Sequence, residues 1–105
     1  MAKVEARVAN NEAARRWEAH VGDDLAGYAE YRLAGGRVVF THTVVFAQYE
    51  GRGIGSQLAR HALDDAVNRG LRITPYCPFI RAYIRRHPGY RDHVDLPLSS
   101  ERHQT

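Results

Sequence analysis

A single cysteine, Cys77, is the only thiol in the sequence, which excludes an intramolecular disulfide and a multi-cysteine zinc site. No metal site is expected. Long apolar runs are also missing: nothing approaches the roughly 20 residues of a membrane span, and the N-terminal stretch has no apolar block of the kind a secretory signal carries. A cytoplasmic protein without a membrane partner is expected. With 105 residues there is space for one domain and a modest core, but not for a second catalytic domain. We expect that domain over residues 1–93 and a polar, flexible tail over residues 94–105. The formal charge of +3 and the pI near 9.4 favour anionic partners. They do not by themselves imply nucleic acid, because the aromatics show no RNA-binding spacing and the apolar content is that of an ordinary globular domain. No nucleic-acid partner is expected, and the oligomeric state is not readable from composition.

What is present reads as strands first and helices later. Residues 4–8 suit a short edge strand, and Asn10-Asn11-Glu12 a loop. In residues 15–21, Trp17, Ala19 and Val21 alternate with Arg16, Glu18 and His20, the pattern of a half-buried strand. Gly22-Asp23-Asp24 turns the chain into a strand near 25–33, and Ala34-Gly35-Gly36 marks a hairpin. The strand over 37–46 carries Val38, Phe40, His42, Val44 and Phe46 on one face and Val39, Thr41, Thr43 and Val45 on the other. Both faces are largely apolar, so it belongs inside the sheet. Further on, Ile54, Leu58, Ala62, Leu63, Ala66 and Val67 form one helical stripe, with Arg60, His61, Asp64, Asp65 and Asn68 away from it. Gly70 closes that helix as a C-terminal cap. A short strand over 71–74 and a short helix over 79–86, stopped by Pro88, complete an α+β order.

The loop Glu50-Gly51-Arg52-Gly53-Ile54-Gly55-Ser56-Gln57-Leu58 carries the most functional information. Its glycines let the backbone come close to a ligand. The helix starting at Ile54 or Gly55 presents unpaired N–H groups and its positive dipole end at the same place. A phosphate or pyrophosphate suits such a turn; a merely tight strand-to-helix connection is the bland alternative. Counting from Gly53, the third glycine position of a dinucleotide fingerprint is Leu58, and no Lys follows any glycine as a nucleoside-triphosphate loop requires. The pattern that remains, Gly-x-Gly-Ile-Gly-Ser-x-Leu, resembles the acetyl-CoA pyrophosphate loop of GNAT-type N-acetyltransferases.

A second stretch sharpens the resemblance. Pro75 and Pro78 flank Tyr76-Cys77, and neither can donate to a sheet ladder, so the strand must leave its neighbour there and expose main-chain groups. Pro75-Tyr76-Cys77-Pro78-Phe79-Ile80-Arg81-Ala82-Tyr83-Ile84, then His87-Pro88-Gly89-Tyr90, together with Thr41-His42-Thr43, resembles the signature of a short, stand-alone GNAT-like subfamily that binds acetyl-CoA. The resemblance spans roughly residues 14–92. It implies a minimal GNAT fold: a mostly antiparallel sheet, splayed at the cofactor site, with one long and one short helix. Acetyl-CoA would lie in a V-shaped opening between the strands ending near Ala47 and Pro75. The implied contacts are the pyrophosphate on Arg52, Gly53, Ile54, Gly55, Ser56 and Gln57, and the pantetheine along the main chain of Val44, Val45 and Phe46. Cys77, Pro78, Phe79 and Tyr83 would follow along the strand exit and last helix. Two positions depart from the pattern: Glu50 stands where the superfamily usually has Gln or Arg, and Val44 where the subfamily often has Glu after His-Thr. The loop works through backbone N–H groups, so Glu50 should leave binding intact, whereas Val44 removes a carboxylate that would position an amine or a water.

The catalytic candidates are Tyr83, Cys77 and His42. A phenol on the last helix, where the resemblance implies an acid, could protonate the leaving thiolate; the alternative for Tyr83 is a core aromatic. Cys77 could accept an acyl group or be a small buried hydrophobe near the thioester. His42 has the chemistry of a base for an amine, but its place between Phe40 and Val44 reads more readily as a buried structural histidine; Glu30 and His20 are alternatives. Arg85, Arg86 and His87 suit a solvated helix end or the CoA 3'-phosphate. The reading is an acetyl-CoA-dependent N-acyltransferase acting on a small-molecule or protein amine. An acyl-CoA-binding protein with little turnover is the alternative, and a nucleic-acid module explains the pI but not the loop.

Overall fold

Glycine pairs and prolines punctuate the chain into elements whose order follows the alternation and helical periodicity of the sequence. The computed structural model describes residues 2–95. Five strands, β1 (Arg7–Asn11), β2 (Arg16–Val21), β3 (Asp24–Ala34), β4 (Arg37–Val45) and β5 (Arg72–Pro75), form one sheet in the order β1-β2-β3-β4-β5. The first three junctions are antiparallel, and β4 to β5 is parallel. The long helix α1 (Ile54–Asn68) makes the crossover between β4 and β5, and the short helix α2 (Pro78–Arg86) follows. At the β3–β4 hairpin, Gly35 and Gly36 take φ of 52° and 80°, the pair of positive angles a tight two-residue turn requires. The arrangement is α+β with a mostly antiparallel sheet, as expected.

Both helices cover the same face of the sheet. Ile54, Leu58, Ala62, Leu63 and Ala66 of α1 are buried there, with Ile80 and Ile84 of α2, against Phe40, Val38, Ala19 and Ala29. Gly70 ends α1: its N–H donates to Val67 O at 3.0 Å while Leu71 N–H reaches back to Ala66 O at 2.9 Å, the paired bonds of a Schellman cap. The opposite face bears no helix among the described residues. There Glu18 accepts from Asn11 Nδ2 at 2.9 Å and Arg16 Nε at 2.8 Å, and Arg16 lies 4.4 Å over the Tyr28 ring.

Three expectations are corrected. The first strand begins at Arg7 and takes in Asn10 and Asn11, which pair with Trp17 and Arg16. The preceding residues instead cross the start of α1. Gln57 holds them: its Oε1 accepts from Ala6 N–H at 2.9 Å and its Nε2 donates to Val4 O at 2.6 Å, while Val4 N–H donates to Arg52 O at 3.0 Å. Val94 and Asp95, expected in a flexible tail, are held to the sheet: Val94 bridges Ile73, Asp95 N–H donates to Ile73 O at 2.8 Å, and its carboxylate pairs with Arg72 and Arg37. The remainder of that expected tail, residues 96–105, lies outside the described residues.

Two consequences for stability can be measured. Gln57→Leu leaves the buried Ala6 N–H and the Val4 carbonyl without partners and should cost about 1–3 kcal/mol, read from the urea midpoint at unchanged m-value. For Glu18, hydrogen bonds from Asn11 first and Arg16 second hold the carboxyl below the ordinary 4.5. A depressed folded-state pKa contributes stability that is complete above the unfolded value and is lost as pH falls through the folded one. Glu18→Gln should therefore flatten the fall of Tm below about pH 4.5; an unaltered slope would show that other carboxylates dominate acid unfolding.

Candidate functional site

Strand β4 does not keep its alternation to the end. Tyr31 faces Phe40 and Glu30 faces His42, so Thr41 is an extra residue, a β-bulge that leaves local main chain unpaired and reverses the phase of the side chains. Phe40 is buried beneath the helices; after the bulge it is Thr43 and Val45, rather than His42 and Val44, that turn to the helical side. His42 is exposed on the helix-free face, in register with Glu30. The expectation of a buried histidine between Phe40 and Val44 is thus overturned, and the bulge is the reason.

The sheet opens directly beyond this point. The β4–β5 ladder runs from Arg37↔Arg72 to Phe40↔Pro75, and the N–H groups of both Tyr76 and Cys77 then converge on Phe40 O, each at 3.0 Å. Past that shared acceptor, residues 42–45 pair with β3 alone. Across the opening, Thr43 Oγ1 and Cys77 Sγ lie 3.2 Å apart. Cys77 is 2% exposed and sits at the N-cap of α2. Among the described residues its side-chain hydrogen-bonding partner is a hydroxyl, not a base.

Beside the opening lies the glycine turn. Gly53 is the N-cap of α1 at φ 83°; no side chain caps the helix, and its first turn holds no acidic residue. The leading N–H groups of α1 therefore face outward with the positive end of the dipole. They border an open cavity of about 300 Å³ between Val45, Tyr49, Gly51 and Phe79. Gly55 has a role the sequence reading did not assign: a Cβ there would fall 2.7 Å from Phe79 Cζ, so its bareness admits the α2 ring. Two expected contacts are directed elsewhere. Gln57 has its side chain engaged with Val4 and Ala6. Arg52 does not border the cavity, and its charge acts on the Tyr49 phenol, which donates to Asp24 Oδ2 at 3.0 Å.

Ser56 also borders a second cavity of about 340 Å³, enclosed by Lys3, Arg60, Tyr83, Arg86 and His87. The Tyr83 ring stacks on His87 with centroids 4.0 Å apart and 19° between planes. His87 Nδ1 lies 2.8 Å from Tyr83 O; a carbonyl only accepts, so Nδ1 carries a proton in this contact. Burial pushes the Tyr83 phenol above its ordinary value, so it is protonated at neutral pH. Tyr83 and Cys77 are six residues apart along α2, about 9 Å along the axis, and border different spaces. Thr43 and Cys77 meet at the strand parting, Tyr83 belongs to the basic cavity, and His42 lies across the sheet. Arg60 was read only as lying away from the apolar stripe, and its place one helical turn after Ser56 is the signal that could have found it; nothing in the pattern around Lys3 pointed to its position.

Chemically, an uncapped helix start suits an anion, and an open strand edge with a bulge offers main-chain hydrogen bonds to an amide-bearing chain. A family profile described as GCN5-related N-acetyl-transferase matches residues 16–93. Protein NATD1 of Gallus gallus is 37% identical over 67 residues, 61% of this chain and 61% of that one. Protein NATD1 of Homo sapiens is 39% identical over 59 residues, 55% of this chain and 52% of that one. The chain thus spans between half and two thirds of the length of these curated relatives. A solved structure of a GCN5-like protein from Staphylococcus aureus, assigned as an N-acetyltransferase, superposes with a TM-score of 0.65 over all of both chains at 20% identity, a likeness of fold. With most of its length inside the family profile, the chain belongs to the GCN5-related N-acetyltransferase family.

Proposed function

We propose that the protein transfers an acetyl group from acetyl-CoA to an amine, small-molecule or on a protein, in the cytoplasm. The observation that carries this reading is the parting of β4 from β5 at Phe40 O, directly beside the uncapped start of α1. In this proposal the diphosphate rests on the N–H groups of residues 53–56, under Phe79, and the pantetheine amides pair with the free edge of residues 43–45; the main chain of Phe46, expected to take part, is engaged with Ala26 O and Tyr49 N–H. Pro78 and Cys77 bound the thioester end. The bound cofactor supplies the activated acyl carbon: the amine nitrogen bonds to it as the C–S bond breaks, with one proton passing from nitrogen to the departing sulfur overall. The chain's share is to orient the two reactants and to offer main-chain N–H groups at the Thr41 bulge to the carbonyl oxygen. His42 and Glu30, in register on the helix-free face, are the groups able to take the amine's proton if the acceptor enters from that side.

Release of CoA with a thiol reagent, measured over a panel of primary amines, tests the reading; acetyl-CoA affinity without release for any amine would favour an acyl-CoA-binding protein instead. That alternative draws on two observations: among the described residues the Thr43–Cys77 pair has no side-chain hydrogen bond or ion pair to a base or an acid, and the side chain at 44 is apolar.

Two substitutions divide the candidate roles. Cys77→Ala should keep most of the turnover, because among the described residues its side-chain partner is the Thr43 hydroxyl; near-complete loss would point to an acyl-enzyme. Tyr83→Phe should change kcat by less than about threefold while weakening acetyl-CoA, since its hydroxyl belongs to the basic cavity. A fall in kcat of roughly a hundredfold or more, the range of a positioned proton donor, with KM unchanged would restore Tyr83 as the acid.

A further inference from the structure

Three cationic side chains reach the cavity beside Tyr83 from three separate segments: Lys3 from the N-terminal strap, Arg60 from the second turn of α1, and Arg86 from the end of α2. Lys3 is the one lysine of the sequence. Among the described residues no carboxylate lies within ion-pairing distance of any of the three, whereas Arg16, Arg37, Arg69 and Arg72 each have such a partner. Asp64 acts on the same Tyr83 phenol as Arg60 and Arg86, but its Oδ1 accepts from Tyr90 Oη at 2.6 Å. Like charges gathered around one concavity repel, and the nearby start of α1, with no acid in its first turn, adds to that repulsion. A multiply charged anion reverses the sign of each of these interactions. The Tyr83 hydroxyl adds a neutral donor.

We infer that this cavity is a phosphomonoester site that selects coenzyme A bearing its 3'-phosphate over the dephosphorylated cofactor. The inference rests on the acetyl-CoA reading above. Ser56 borders both cavities, and in coenzyme A only the ribose separates the 3'-phosphate from the diphosphate. Part of the selectivity comes from outside the family-matched residues 16–93: Lys3 lies against Gly53, where a Cβ would meet its Cγ at 3.1 Å. Gln57 fixes that placement by holding Val4 and Ala6.

Calorimetry of the full chain with CoA and with 3'-dephospho-CoA tests this without any substitution. The intact protein should prefer CoA by roughly tenfold to a hundredfold, the worth of one charge-assisted hydrogen bond. Lys3→Ala with Arg60→Ala should bring CoA to within about threefold of dephospho-CoA, with CoA weakened by the larger factor. Equal affinities in the intact protein would overturn the inference while leaving the acetyl-CoA reading in place. So would a double variant that weakens both ligands by the same factor, because only the general field would then be at work. Failure of both ligands to bind would overturn the acetyl-CoA reading itself, and this inference with it.

Discussion

Everything at the candidate site depends on one carbonyl, that of Phe40, accepting from both Tyr76 and Cys77. A parallel ladder needs a donor at alternate residues of each strand; Arg72 and Tyr76 serve β4 in this way, and the next such position, 78, is a proline. The ladder therefore has no continuation, and the last available N–H groups converge on the last available acceptor. The chain beyond turns into α2, the edge of β4 is left open, and α1 begins at the side of that opening. A site of this kind needs no insertion or second domain: it is the space two strands leave when their hydrogen bonds stop.

The bulge at Thr41 decides what faces that space. It explains why the element order and the helix-covered core were legible in the sequence while the face of His42 was not. Alternation is a rule about consecutive residues, and one inserted residue transfers every later side chain to the other face. Val38 and Phe40, before the bulge, lie where alternation put them; Thr43 and Val45, after it, lie where alternation put His42 and Val44. No residue type in Thr41-His42-Thr43 signals the insertion, since threonine and histidine are ordinary strand residues. The glycine turn was legible for a different reason: positive φ at Gly51 and Gly53 is a backbone requirement that few other residues meet. Gly55 was read as a place where a ligand comes close; Phe79 is what lies against it, through a contact 24 residues away that the local pattern does not carry.

The residues least legible from sequence are those whose partners lie in segments with no pattern of their own. Residues 2–6 lack enough alternation to fix a strand, and a glutamine on the second turn of a helix ordinarily reads as solvated. The two explain each other in space: Gln57 is buried because Val4 and Ala6 supply the hydrogen bonds its amide requires, and those residues are ordered because Gln57 supplies theirs. A buried amide satisfied by main chain from a distant segment is a stringent constraint, since loss of either side strands polar groups away from water.

That constraint links stability to electrostatics. The strap held by Gln57 sets Lys3 across Gly53, at the end of α1 where a cation is least welcome in the absence of a ligand. The gain from satisfying the Gln57 amide thus offsets an unfavourable placement of charge, and the charge is in place before any anion arrives. Pre-organisation of this sort lowers the cost of binding, because the cation need not be recruited from solvent at the moment the ligand enters. It also separates two roles of the N-terminal segment: its backbone belongs to the fold through Gln57, and its one lysine belongs to the basic cavity.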